Sequence, residues 1–344
     1  MKSYSHILSV LIALALVFGI SNTANAQEDM RGEAVTLYNE AQELASANQL
    51  EDAIETYRAA LDIANDNELE DISERIERQL PRVYYSRATR AFQQYQEERT
   101  IEAADRAIAR FNEAQEAGEE FNDDQVVQQT TRALPQLHYL KSTIHFRNED
   151  LDAALESLDT ALELNPNYPT AYYQRAIVYK AQNPEDIDQT LVYYDRAIEL
   201  AEQANDNRTL NNARRSAAEE LIFRAVNLKE ESRYSRAIEL LEKVENYDPE
   251  NADAHYRLAE ISNMRGNFDN AVEHSNRALE LETGGVTDRA KIYFELGTAY
   301  KGLGQVSNAC DAFENANYGE FSEPASHELQ FELECEGHRP TGRR

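Results

Sequence analysis

The stretch Ala290–Ala316, AKIYFELGTAYKGLGQVSNACDAFENA, decides the fold of this chain. Apolar or small residues recur in it at helical spacing. They form two quartets: Tyr293, Leu296, Gly297 and Tyr300, then Val306, Ala309, Phe313 and Ala316. Gly302-Leu303-Gly304 separates the quartets, which is typical of a turn. The pattern predicts two antiparallel helices, and the small residues Gly297 and Ala309 would let the two backbones approach closely.

The same template recurs along the whole chain. Copies without internal gaps cover Pro135–Ala161, Ala218–Val244 and Ala252–Ala278, and another runs from Leu37 to Ala60. Two further copies, Pro81–Ala114 and Pro169–Ala197, contain insertions. The repeats therefore begin near residues 34, 81, 135, 169, 218, 252 and 290.

These residues resemble the tetratricopeptide repeat (TPR) motif, a 34-residue helix-turn-helix with aromatic, Leu-Gly, Tyr, Ala and Pro positions at fixed offsets. The resemblance implies an all-α fold: a right-handed α-α superhelical solenoid of about seven repeats over residues 27–320. An amphipathic capping helix is predicted over 321–335, and a disordered tail over 336–344.

The gaps between some repeats are longer than the motif allows. They hold the polar stretches Asn65–Asp71 and Gln203–Thr209. Leu80-Pro81 and Leu134-Pro135 precede similar tyrosine-bearing helices, so we interpret the gaps as lengthened helices with a proline kink. Because a proline inside a helix costs about 3 kcal/mol, a helix that starts at the proline is an alternative, and disordered linkers are another.

Residues 1–26 have the layout of a cleaved secretory signal peptide. Lys2 supplies positive charge, Ile7–Ile20 is a short apolar run, and Ala24-Asn25-Ala26 is an A-x-A cleavage pattern. The run is shorter than the roughly 20 residues that a membrane span needs, so an uncleaved anchor is the weaker alternative. We expect a soluble mature chain that begins at Gln27 and is exported, to the periplasm in a bacterial envelope.

The chain is strongly acidic, with 63 Asp and Glu against 34 Lys and Arg and a formal net charge of -29. Such a surface repels nucleic acid and anionic lipid. It is compatible with high solubility, a basic partner or a salty habitat, and the composition does not separate these three.

Two cysteines, Cys310 and Cys335, lie near the C-terminus. In an oxidising compartment a single pair usually forms one disulfide. Cys310 begins the second helix of the last repeat and Cys335 ends the capping helix, so an antiparallel cap would bring them together. The bond would close a loop of about 26 residues and add roughly 3 kcal/mol.

We find no pattern that indicates an enzyme, and we predict no catalytic, cofactor or metal site. His138, His145 and His255 occupy positions that hold core residues in other repeats. The chain has no H-E-x-x-H motif, no phosphate-binding glycine loop, no dinucleotide fingerprint and no G-x-S-x-G turn.

The family resemblance places the fifth residue of each repeat in a concave groove. These residues are Tyr38, Tyr85, Tyr139, Tyr173, Ile222, Tyr256 and Phe294. Aromatic side chains suit peptide contacts, because they bury much area at low entropy cost. The alternative is that they pack between neighbouring repeats.

The twelfth position adds Lys180, Lys229 and Lys301 to the predicted groove, where they would meet a ligand carboxylate or backbone carbonyls. The alternative is solvated lysines paired with Glu230 or Glu231. The ninth positions depart from the carboxylate clamp of some relatives. They are Gln42, Thr89, Thr143, Ile177, Val226, Glu260 and Thr298.

The sequence therefore predicts a non-enzymatic interaction scaffold of the cell envelope that binds an extended segment of another protein. The alternative is a structural or self-assembling component of an envelope export or outer-membrane assembly complex. The identity of the partner and the oligomeric state do not follow from the sequence.

Overall fold

The structure is a computed structural model that describes residues 27–337. The predicted signal peptide and residues 338–344 of the predicted tail lie outside the described residues. No helix within 27–337 combines the length and the apolar character that crossing a membrane requires.

The described part of the chain is built from helices and contains no strand, so the all-α prediction is confirmed. The chain divides into two compact units on either side of the Pro184–Glu185 bond. The first unit contains α1 (27–46), α2 (Leu50–Asp66), α3 (Glu70–Glu98), α4 (Ile101–Glu120), α5 (Asp124–Arg147), α6 (Leu151–Leu164) and α7 (Pro169–Gln182). The second contains α8 (Ile187–Ala204), α9 (Asn207–Glu230), α10 (Tyr234–Lys243), α11 (Ala252–Met264), α12 (Phe268–Leu281), α13 (Val286–Gly302), α14 (Val306–Ala316) and α15 (Ser322–His327).

Helices that follow each other within a unit pack together as hairpins. The odd-numbered helices up to α13 are the first helices of the repeats, and the even-numbered ones are the second helices. Alanines line the helix contacts, among them Ala53, Ala104 and Ala271, all fully buried. Glycine serves the same purpose in α13, where a Cβ on Gly297 would lie 2.9 Å from the ring of Phe313. The predicted close approach at Gly297 thus accommodates a side-chain ring.

Two helices continue through a proline. Helix α3 has 29 residues with Pro81 inside it, and α5 has 24 residues with Pro135 inside it. Both prolines are buried, so their apolar contacts help to offset the lost backbone hydrogen bond. The lengthened-helix interpretation agrees with this structure. Neither helix starts at its proline, and short turns take the place of disordered linkers.

Many of the turns between helices have the same backbone arrangement. In eight of them an N–H bonds to a carbonyl five residues earlier, at 2.8–3.0 Å, and the residue just before this donor has a positive φ. This is the Schellman arrangement, which satisfies carbonyls left free at the helix end. The positive-φ residues are Asn48, Glu68, Asn122, Glu149, Asn205, Ser232, Gly266 and Gly304.

The C-terminal cap is shorter than the predicted helix over 321–335. It consists of a 3-10 turn at Gly319–Phe321, helix α15 and one π turn at Glu328–Glu332. The helical part ends there because Glu334 has a φ of 49° and the Cys335 N–H turns back to the Leu329 oxygen, at 2.9 Å. The cap buries Ala325 and Leu329 against the last repeat.

Cys310 and Cys335 are joined as a disulfide, with their Cα atoms 6.0 Å apart and a sequence separation of 25. Cys335 is 4% exposed and belongs to the same core cluster as Phe313 and Leu329. The bond therefore ties the end of the cap to α14.

Candidate functional site

The fifth-position residues all lie on first helices. Six are half-buried, and Tyr256 is buried with an exposed fraction of 7%. Tyr38, Tyr85, Tyr139 and Tyr173 lie on α1, α3, α5 and α7 of the first unit, and Ile222, Tyr256 and Phe294 lie on α9, α11 and α13 of the second. Their role as ligand contacts stays a prediction.

Three of these rings pack edge-on against an aromatic ring of the second helix in the same hairpin. The centroid distances are 5.9 Å for Tyr38–Tyr57, 6.0 Å for Tyr85–Phe111 and 5.4 Å for Phe294–Phe313. Edge-to-face packing at this distance is favourable for aromatic pairs. The second-helix partners are almost fully buried. The first-helix rings thus have a packing role, while their half-buried state leaves part of each ring accessible.

Tyr139 has a different aromatic neighbour. Its ring centroid lies 5.6 Å from that of Tyr168, the residue that precedes α7. Tyr168 is half-buried and has no position in the repeat motif. The contact links α5 to the start of the next first helix, so these two rings join neighbouring repeats within the first unit.

Tyr256 offers little surface to a ligand. The guanidinium carbon of Arg257 lies 4.8 Å from its ring centroid, and the Lys291 Nζ lies 4.7 Å from it. Burial raises the pKa of the Tyr256 phenol, and the nearby carboxylates of Glu260 and Glu295 raise it further. Among the fifth-position rings, this one is covered by cations of its own unit.

The groove lysines of the second unit are bound to carboxylates. Lys229 Nζ lies 2.7 Å from Glu260 Oε1, and Lys301 Nζ lies 2.7 Å from Glu328 Oε2 and 3.3 Å from Glu332 Oε2. The alternative that Lys229 pairs with Glu230 or Glu231 is therefore wrong about the partner. Lys180 lies on α7 and is half-buried.

A half-buried carboxylate lies beside the Lys229–Glu260 pair. Glu295 on α13 accepts a hydrogen bond from Asn263 Nδ2 at 2.8 Å, and the same amide donates to the Glu295 backbone oxygen. Burial raises the pKa of Glu295, and Glu260 raises it too, whereas the Asn263 hydrogen bond opposes the shift. The cations and carboxylates on this face of the second unit compensate each other.

The first unit has a pocket of about 510 Å³ on its first helices α3 and α5. Phe92, the twelfth residue of its repeat, and Thr143, the ninth of the next, both line it, together with Tyr95, Arg99, Leu140 and Arg147. The rings of Phe92 and Tyr95 stack at 5.9 Å with an interplanar angle of 18°. The repeat pattern does not single out Phe92, Arg99 or Arg147, because the basic residues at the twelfth position are lysines of other repeats and Arg99 lies beyond the helix end.

The predicted core histidines occupy half-buried positions. Burial lowers the pKa of His138, and the nearby Lys141 lowers it further. His255 and His274 lie on α11 and α12 with their Nδ1 atoms 3.3 Å apart. Within residues 27–337 no group of three or more His, Cys, Asp or Glu side chains is placed to hold a metal ion.

Family models of the tetratricopeptide repeat match four ranges of the chain. A model described as "TPR repeat" matches 144–183, and two described as "Tetratricopeptide repeat" match 228–285 and both 33–67 and 290–318. The ranges 33–67 and 290–318 coincide with the helix pairs α1–α2 and α13–α14. No curated protein matches the chain.

Solved structures of TPR proteins are similar at low identity. YrrB, described as a TPR protein with an unusual peptide-binding site, is 18% identical over 53% of this chain and 84% of its own, with a TM-score of 0.31. MamA from Desulfovibrio magneticus RS-1 is 20% identical over 55% and 93%, with a TM-score of 0.33. TTC0263 from Thermus thermophilus is 19% identical over 57% and 98%, with a TM-score of 0.27.

The helix pairs, their close-packed small residues and the four matched ranges give one conclusion. The chain is a tetratricopeptide repeat protein.

Proposed function

We propose that this protein is an exported, non-enzymatic scaffold whose first helices bind an extended segment of a partner protein. TPR repeats are protein-interaction modules, and that coarse role follows from the family. The observation that carries the finer proposal is the set of half-buried rings at one position of successive first helices. Tyr38, Tyr85, Tyr139 and Phe294 each pack against another aromatic ring and still have accessible surface.

Rings held in this way suit the binding of an extended chain. A ring that already packs against a second helix loses little side-chain freedom on binding, so its remaining surface contributes to affinity at low entropic cost. The rings recur once per repeat, which matches a ligand that contacts several repeats in turn. Tyr38, Tyr85, Tyr139 and Tyr173 in the first unit and Phe294 in the second are the half-buried rings that we assign to this role.

Export is the second part of the proposal. Its support is the charge, apolar run and A-x-A site within residues 1–26, together with the single cysteine pair placed for a disulfide. Production in a Gram-negative host with the full N-terminus tests it: intact-mass measurement of periplasmic protein is expected to show a chain that starts at Gln27. Retention in the cytoplasm with residues 1–26 attached would contradict it.

Site-specific photocross-linking tests the binding face. Benzoylphenylalanine replaces Tyr85, Tyr173 or Phe294 on first helices and, as controls, Leu164 or Val192 on second helices, where the exposed fractions are 46% and 53%. The proposal expects cross-links to the same partner segments from the first-helix positions and much lower yields from the controls. Equal yields from both kinds of helix would remove the first-helix face from the proposed function.

A further inference from the structure

The pocket on α3 and α5 has an unusual charge for this protein. The chain carries a net charge of -29, yet the pocket is lined by Arg99 and Arg147 and by no carboxylate. Neither guanidinium forms an ion pair with any of residues 27–337. Arg99 Nε donates to the Gln96 backbone oxygen at 3.3 Å, which leaves the charge uncompensated.

Most arginines that line two other pockets pair with carboxylates of the protein, and Arg90 donates instead to the Asn48 backbone oxygen at 2.8 Å. In a pocket of about 310 Å³ in the second unit, Arg224 pairs with Glu220 at 2.8 Å and Arg233 with Glu231 at 3.3 Å. In a pocket of about 290 Å³ in the first unit, Arg110 lies 2.8 Å from Glu113, which also pairs with Arg87. Arg106 in the same pocket lies 2.6 Å from Glu98. The α3–α5 pocket differs from both, because neither of its arginines pairs with a carboxylate of the described residues.

An apolar surface lies beside the two free charges. Phe92 is half-buried, Tyr95 stacks beneath it with an exposed fraction of 6%, and Leu140 contributes from α5. Burial raises the pKa of the Tyr95 phenol while Arg147 and Arg99 oppose the shift, which agrees with both guanidiniums lying near this ring. A volume of about 510 Å³ is within the range of ligand-binding pockets.

The backbone fixes the starting point of the Arg99 side chain. Arg99 ends α3 with a φ of 53°, and its N–H bonds to the Tyr95 oxygen at 2.8 Å. Arg147 is the last residue of α5. Both guanidiniums therefore extend from helix ends, where a partner chain can reach them without displacing a helix.

We propose that this pocket binds a partner segment in which an aromatic side chain is flanked by internal Asp or Glu residues. The ring contacts Phe92 and Leu140, and the carboxylates pair with Arg99 and Arg147. The planar guanidinium matches a carboxylate with two hydrogen bonds, which favours an acidic side chain over its amide. This inference rests on the proposed function and names the chemistry of the segment that the first unit selects.

Titration calorimetry with short synthetic peptides tests the proposal on the chain 27–344. The probe is acetyl-GSEFEGS-amide, and the matched peptides are acetyl-GSQFQGS-amide and acetyl-GSEAEGS-amide. We expect the acidic aromatic peptide to bind about tenfold more tightly than either matched peptide, because each lacks one half of the recognition. Equal binding of the glutamine peptide would overturn the proposal.

Arginine variants locate the binding. Arg147→Gln and the double variant Arg99→Gln/Arg147→Gln are expected to remove most of the preference for the acidic peptide. Arg78→Gln/Arg132→Gln makes the same charge change at exposed positions of α3 and α5 and is expected to keep the preference. The single variant Arg147→Gln is included because a substitution at Arg99, which has a positive φ, could disturb folding in the double variant. An unchanged preference in Arg147→Gln and the double variant would overturn the assignment.

A fourth peptide, GSQFQGS with a free C-terminal carboxylate, separates internal acids from a chain end. If it binds more tightly than the acidic peptide, the pocket recognises a terminus and the proposal is wrong. Cross-linking from Phe294 remains an independent test of the proposed function, since that residue lies in the other unit. Success there with failure of the peptides would reject only the inference about this pocket.

Discussion

Two clusters of basic groups on first helices, one in each unit, have different electrostatic settings. In the second unit Lys229 and Lys301 are each held at 2.7 Å by a carboxylate, and Tyr256 is covered by two cations. In the first unit Arg99 and Arg147 line an aromatic pocket without any such partner within 27–337. A cation at a groove position is therefore no evidence of a ligand by itself. Its pairing inside the protein decides whether its charge is available.

The largest expected effect concerns the buried aromatic rings, which both units have. Phe313→Ala and Tyr57→Ala remove rings with exposed fractions of 0% and 2%, so each is expected to lower the free energy of unfolding of its own unit by about 3–5 kcal/mol. Hydrogen exchange followed by mass spectrometry reports the loss separately for each unit. Phe331→Ala, at a residue that is 58% exposed, is the control. Costs that differ widely between the two ring positions would mean that the aromatic pairs have unequal roles.

Reduction of the disulfide sharpens the comparison at the end of the second unit. Loss of the Cys310–Cys335 bond is expected to cost roughly 3 kcal/mol, most of it as local opening of the cap. Limited proteolysis should then cut the chain after α14, while the peptides of α1–α7 keep their protection. The variant Cys310→Ala/Cys335→Ala should behave like the reduced protein. A cap that resists protease equally in both forms would show that the Ala325 and Leu329 contacts hold it alone.

Neutralising the basic residues one at a time is the direct test of the comparison. Lys229→Gln leaves the half-buried Glu260 with only its longer pair to Arg257, at 3.4 Å, and is expected to lower the free energy of unfolding of the second unit by about 1–2 kcal/mol. Lys301→Gln, at a more exposed pair, should cost less than about 1 kcal/mol. Arg147→Gln should change stability by less than about 0.5 kcal/mol, since no internal pair is broken. If Arg147→Gln lowers the free energy of unfolding as much as Lys229→Gln does, the two clusters do not differ in their internal pairing.

The smallest effect concerns pH and lies within the second unit. Burial lowers the pKa of both His255 and His274, and their proximity lowers that of His255 further. As the pH falls, these histidines are therefore protonated in the unfolded chain at a higher pH than in the folded chain. The stability contributed by the neutral pair is complete above about pH 6.5 and is lost as the pH falls through the lowered values. The charged groups that act on the pair are Glu242, Glu245, Glu273 and Arg277.

Urea unfolding between about pH 7.5 and pH 5.5 measures this dependence above the range where ordinary carboxylates titrate. The variant His255→Gln/His274→Gln should flatten the curve, and His138→Gln serves as the single-histidine comparison in the first unit. A pH dependence that survives in the double variant would have to come from other groups, such as Glu295, whose pKa is raised by burial.

The sequence predicts the fold well because helical spacing and small residues act locally, within one repeat. It also assigns the fifth-position rings to first helices. It does not predict the ion pairs, since Lys229 and Glu260 are 31 positions apart and several other carboxylates are nearer to Lys229 in the sequence. It fails likewise at the α3–α5 pocket, whose two arginines become neighbours of one ring only after the helices pack. Burial of Tyr256 has the same origin, because one of its covering cations comes from the next repeat.

The Schellman turns bear on which residues of such repeats can be exchanged during evolution. Glycine occupies two of the eight positive-φ positions, and Asn, Glu or Ser occupies the others. The bonds that close these turns are made by the main chain, so side chains around them can be exchanged while the hairpin is kept. Outside the four ranges matched by family models, the turns at Asn122 and Asn205 have the same type of bond, at 2.8 Å, as those inside, at 2.8–3.0 Å. The backbone of such repeats can therefore be kept while their sequences change.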